Sequence, residues 1–146
     1  MERIKNTVGK ILAVDFGDVR TGLATSDISR FLASGIGYIS PGGLDKTVAA
    51  VAQIASEQRA VAIVVGLPKN MDGSEGPRAE RCKKFAARLE EASGLPVAMF
   101  DERMSTMNAA RYLNETNTRG SKRKQVIDTL SAQIILQNCL DRLKNM

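Results

Sequence analysis

A carboxylate set where a sheet has to be covered constrains this chain more than any other feature. Residues Ile11-Leu-Ala-Val-Asp15 have strand character, run into a turn marked by Gly17 and Gly22, and continue as a second short strand toward Ser26 and Asp27. Side chains alternate along a strand, so Ile11, Ala13 and Asp15 share one face while Leu12, Val14 and Phe16 share the other. Asp15 is thereby aimed into packing. A buried carboxylate without a partner is costly, so the chain must bring it a cation, a set of donors or a metal ion.

The remaining sequence supplies the covering. Residues 31–39 read as a third strand, and Leu44, Val48, Val51 and Ala55 then recur at helical spacing with Asp45, Lys46, Gln53 and Glu57 turned outward. Val61-Ala-Ile-Val-Val65 is apolar without alternation, as in a parallel strand buried on both faces. A breaker-rich loop over 66–78 leads to a helix whose stripe is Ala79, Cys82, Phe85, Ala86 and Leu89 and which ends near Gly94. Residues 96–100 form the next strand, with Asp101, Glu102 and Arg103 at its carboxyl end. Ser105 or Thr106 caps a short helix through 113, and a polar, basic connection over 117–124 leads to the last helix. The order β-β-β-α-β-α-β-α-α, in 146 residues, predicts one α/β domain over 1–146 with a mixed sheet and helices on its faces.

Composition narrows the chemistry. There is no histidine, which removes a histidine triad and the usual imidazole base. Cys82 and Cys139, the only cysteines, fall at apolar helix positions and read as small buried hydrophobes, too few for a structural zinc site. The Lys and Arg total exceeds Asp and Glu by enough to give +5, a balance suited to a polyanionic partner. No apolar run spans a bilayer and the N-terminus lacks a signal-peptide core, so a cytoplasmic protein without a membrane partner is expected.

Two further acids bear on Asp15. In the last helix, Ala132, Ile135, Leu136, Cys139, Leu140 and Leu143 form one stripe, and Asp128 falls inside it near the expected start of the helix. It is either aimed at the core or a helix-terminus acid favoured by the macrodipole. Glu102 lies just past a buried strand, where open α/β sheets place ligands, although an ion pair with Arg103 also accounts for it. If the three converge, their repulsion calls for divalent cations, and oxygen ligands without His or Cys favour Mg²⁺ or Mn²⁺. Two ions roughly 4 Å apart would then serve in-line displacement at a phosphodiester.

At these residues the chain resembles the YqgF/RuvX family of Holliday junction resolvases and pre-16S rRNA nucleases, with a ribonuclease H-like fold. The resemblance covers nearly the whole chain: Asp15-Phe-Gly17 with Arg20, Gly22, Ser26 and Asp27; Val65-Gly-Leu-Pro68 with Asp72-Gly-Ser-Glu-Gly-Pro-Arg78; Asp101-Glu-Arg103 with Ser105-Thr106; and Asp128 ahead of Ala132 and Ile135-Leu-Gln137. It implies a five-stranded mixed sheet, its first three strands antiparallel, flanked by helices. It also implies an acidic metal site onto which Asp15, Glu102 and Asp128 map, and nuclease activity that includes maturation of the small-subunit ribosomal RNA precursor. Asp18-Val19 departs from the pattern, where relatives often carry a basic residue.

Several cations surround these acids. Arg20 either binds a substrate phosphate or pairs with Asp18 or Asp27, and Arg103 either neutralises Glu102 or reaches a phosphate. Lys69, Asn70 and Arg78 lie on a long loop beyond a strand end and read either as a substrate lip or as ordinary solvated charge. Arg119, Lys122, Arg123 and Lys124 make the densest basic cluster, next to Asp128, and suit backbone phosphates. Aromatic residues are too few for a base-stacking platform, so recognition is expected to lean on backbone charge and shape, and the resemblance implies structured RNA or branched DNA as the partner. A monomer or weak homodimer is expected. The rival readings are a nucleic-acid-binding module with weak or lost catalysis and an actin-like ATPase, for which the chain is short of a second lobe.

Overall fold

The computed structural model describes residues 1–70, 72–101 and 120–145, with side chains outside 120–129. After α1 (Glu2–Lys5) come β1 (Lys10–Asp15), β2 (Thr21–Ser26), β3 (Ala33–Ile39), α2 (Leu44–Glu57), β4 (Ala60–Leu67), α3 (Pro77–Ser93), β5 (Val97–Asp101) and α4 (Gly120–Lys144). The strands form one sheet in the order β3-β2-β1-β4-β5. β1, β2 and β3 pair antiparallel, while β4 runs parallel to both β1 and β5. This is the expected five-stranded mixed sheet.

Strand alternation sorts the core into two layers. Leu12, Val14, Phe16, Ile63 and Val65 point to α2 and α3, where they meet Val51, Phe85 and Leu89. Ile11, Ala13, Ala62 and Val64 point the other way, onto Ile135, Leu136, Cys139 and Leu140 of α4 and Ile4 of α1. Both cysteines are buried, and burial pushes the Cys139 thiol up to about 11. Phe16 and Phe85 stack with ring centroids 4.3 Å apart.

Three elements differ from the sequence expectation. α1 was not expected: at four residues it is too short to show a period, and it is held by Arg30, whose guanidinium donates to the carbonyls of Gly9 and Ile4 and to the Thr7 hydroxyl. β3 begins at Ala33 and not at 31, because Asp27 closes the turn before it by accepting from Phe31 N and Leu32 N. α4 begins at Gly120, so Lys122, Arg123 and Lys124 belong to the helix and not to a connection. Lys and Arg are good helix formers, and their charge misleads a reading that takes polarity for loop. The helix expected through 113 lies outside the described residues. Among those described, no helix is long and apolar enough to cross a membrane.

Candidate active site

The parallel strands β1, β4 and β5 finish at one rim of the sheet, the place where open α/β sheets hold ligands. Asp15 ends β1 there, half-buried, on the face covered by α4. It stands opposite Gly22, which stands opposite Tyr38. Register partners share a face, so Gly22, having no side chain, leaves the row open between the carboxylate and the Tyr38 ring. The Arg20 guanidinium lies over that ring, 5.9 Å from its centroid.

The turn joining β1 to β2 fixes these groups. A Cβ built on Gly17 would fall 2.2 Å from the Arg20 carbonyl oxygen, so the position is closed to any side chain by space. Of the two acids the sequence offers to Arg20, Asp18 pairs with Arg81 of α3, whose guanidinium also lies over Phe16. Asp27 is taken up by its own turn. The Ser29 hydroxyl and the backbone amides of Leu32 and Phe31 hold its carboxyl below the ordinary value of 3.8.

β5 ends at Asp101, in register with Leu67 at the end of β4. Val97 and Met99 pack toward α2 and α3, whereas Ala98 and Phe100 pack on the α4 side. Glu102 is the next residue of that second parity in the sequence and lies outside the described residues, as do Arg103 and Arg119.

The direction of α4 follows from its bonds. Gln137 accepts from Ala33 N at 3.0 Å and donates to Phe31 O at 3.1 Å, and Gln133 donates to Ala33 O. Ala33 is level with Ser26, whose hydroxyl accepts from Ile11 N near the start of β1. Leu140 and Lys144 share a surface hollow with Lys5 and Arg30. α4 therefore ends at the amino end of β1, and stepping back along it by about 1.5 Å per residue carries the turn with Asp128 toward the carboxyl end. Asp128 also sits more than two turns inside the helix, beyond the reach of the macrodipole that the helix-terminus alternative invoked.

The loop after β4 is braced from within. Asn70 N donates to Ser74 O, Gly73 N to Asn70 O, and Asp72 accepts from both the amide and the hydroxyl of Ser74. Glu75 pairs with Lys83 of α3, which holds its carboxyl below the ordinary value of 4.5. Asn70 and Arg78 are exposed and Lys69 is half-buried.

Among the described residues no three acidic or thiol side chains gather into one group. Asp15 and Asp101 both make contacts within the protein. The residues at the rim suit a hard cation: the donors are carboxylate and hydroxyl oxygens, and both thiols lie buried in the core. Sequence reasoning passed over Tyr38, whose place beside Asp15 depends on strand register, and Ser131, a buried hydroxyl that periodicity does not mark.

Residues 9–142 match the RuvX family, described as Holliday junction resolvase. A protein of Caldanaerobacter subterraneus subsp. tengcongensis named "Putative pre-16S rRNA nuclease" is 43% identical over 93% of this chain and 99% of its own length. One of the same name from Myxococcus xanthus is 43% identical over 90% of this chain and 87% of its own. Among solved structures, RuvC of T. thermophilus in complex with a Holliday junction substrate superposes with a TM-score of 0.55 at 14% identity, covering 92% of this chain and 94% of that one. That likeness bears on the fold, which is the fold of RuvC-like resolvases. By the extent of its match and the identity of its relatives, the chain belongs to the RuvX family of nucleases.

Proposed function

We propose that this chain is a Mg²⁺- or Mn²⁺-dependent endonuclease that cuts phosphodiesters of structured RNA in maturing the 5′ end of the small-subunit ribosomal RNA precursor. The observation that carries the reading is Asp15, a half-buried carboxylate at the rim of the parallel strands, on the face toward which α4 brings the turn bearing Asp128. Glu102, directly after β5, completes the proposed ligand set of Asp15, Glu102 and Asp128. A bound divalent cation supplies charge for the leaving oxygen and lowers the pKa of a coordinated water.

The chain's own groups do the rest. Arg20, which also makes a contact within the protein, is steadied over Tyr38 in the row of Asp15, and its guanidinium is suited to a phosphate oxygen. Lys69, Asn70 and Arg78 on the braced loop would follow the nucleic-acid backbone. The first turn of α4 has no acidic residue and includes Lys122 and Arg123, with Lys124 next, positive charge at the positive end of a helix dipole. A polyanion relieves that repulsion, and relatives named for ribosomal RNA favour RNA as its source. The RuvC complex with a Holliday junction makes branched DNA the second substrate to try.

The test is cleavage of an RNA spanning the precursor 5′ leader, and of a four-way DNA junction, in Mg²⁺, Mn²⁺ or EDTA. We expect leader cleavage with either ion and none in EDTA. Asp15→Asn should lose at least about 10³-fold, the several kcal/mol that metal-assisted charge stabilisation supplies. Cleavage indifferent to EDTA overturns the metal mechanism. Salt-sensitive binding without turnover would make the chain a binding module.

A further inference from the structure

Among the described residues, Ser131 Oγ is the one buried side-chain oxygen or nitrogen with no hydrogen-bond partner, and the residue is 1% exposed. Buried polar groups are almost always paired, so each orphan calls for a reason. Packing provides none. Alanine would fill the same space with better helix propensity and leave no oxygen unpaired.

The position of Ser131 on α4 supplies the reason. Gln133 and Gln137 reach across to Ala33 and Phe31, which fixes one flank of the helix toward β3. At about 100° per residue, Ser131 lies well round on the other flank, the one that looks along the sheet past β1 to β4 and β5. Asn138, two turns further along that flank, is exposed. The burial of Ser131 is therefore local to the end of α4 that carries Asp128. Ser131 follows Asp128 by three residues, the spacing of surface neighbours on a helix, and Cα–Cβ bonds tilt toward the helix N-terminus. Its hydroxyl thus leans into the same end of the fold as Asp15 at the strand rim.

We propose that Ser131 is a positioning residue of the acidic site, its hydroxyl donating to a carboxylate or water oxygen of the divalent-ion shell when the ion is bound. The inference rests on the metal-dependent reading above. It goes further in assigning the role to a neutral residue three positions beyond the proposed ligand.

Mn²⁺ binding to the full chain, followed by calorimetry and by the paramagnetic signal of free Mn²⁺, tests it without turnover, together with melting temperature in EDTA. Wild type should bind saturably and Asp15→Asn should not. Ser131→Ala should bind about tenfold more weakly, as expected for one hydrogen bond to a charged partner, while melting in EDTA at or above the wild-type temperature. The opposed signs separate a site role from a packing role. Ser131→Ala with unchanged Mn²⁺ affinity, or with a lower melting temperature in EDTA, overturns this inference and leaves the site reading standing. Absence of binding by wild type, or binding untouched by Asp15→Asn, overturns both.

Discussion

Asp15 can be read from sequence as sharing the face of Ile11 and Ala13 because strand side chains alternate, and the structure packs those two residues against α4 while leaving Asp15 half-buried. Gly17 matters for a different reason. Its Cα lies so close to the Arg20 carbonyl that a methyl group would force the turn open. Gly17→Ala should cost about 1–3 kcal/mol in urea unfolding, the usual range for an overpacked site. Cleavage should fall further than that loss explains, because Asp15 and Arg20 both hang from the turn and small misplacements are expensive in catalysis. Asp27 tests the neighbouring turn by pH. Its folded carboxyl is held low, chiefly by the Ser29 hydroxyl and the Leu32 amide, so the stabilisation is present above the ordinary value of 3.8 and lost as the pH falls through and below it. Asp27→Asn keeps an acceptor for Phe31 N and Leu32 N but cannot titrate. Thermal melts of this variant between about pH 5 and 2 should show a shallower decline than wild type.

At the scale of elements, α4 decides the architecture. It covers one face of β1, β2 and β3, and Gln137 fastens it by extending the hydrogen bonding at the start of β3. Gln137→Leu removes both the donor and the acceptor and leaves Phe31 O and Ala33 N to find water. The expected loss is about 1–3 kcal/mol, read as a lower urea midpoint with unchanged slope. Much of this helix was legible: the stripe from Ala132 to Leu140 is the face that packs. Its beginning was not, because Lys122, Arg123 and Lys124 resemble a solvated link until backbone geometry shows them helical. α1 and the start of β3 escaped for a related reason. One is shorter than any period, and the other is set by side-chain bonds from Asp27 that hydrophobic pattern does not record.

For the whole molecule, pattern carried the plan of one sheet with helices on both faces and the parallel pairing of β4, since an unbroken apolar run such as Val61 to Val65 needs cover on both faces. What pattern could not carry is adjacency between strands, which puts Tyr38 in the row of Asp15, or the unpaired state of the Ser131 hydroxyl. Both depend on contacts between residues far apart in the chain. The late position of α4 has a consequence for synthesis. Until its residues near Leu140 have been made and have docked, Ile11, Ala13 and Ala24 form a bare greasy wall, so the nascent chain passes through an interval of stickiness. During that interval the turn that carries Asp128 has no packed helix to hold it.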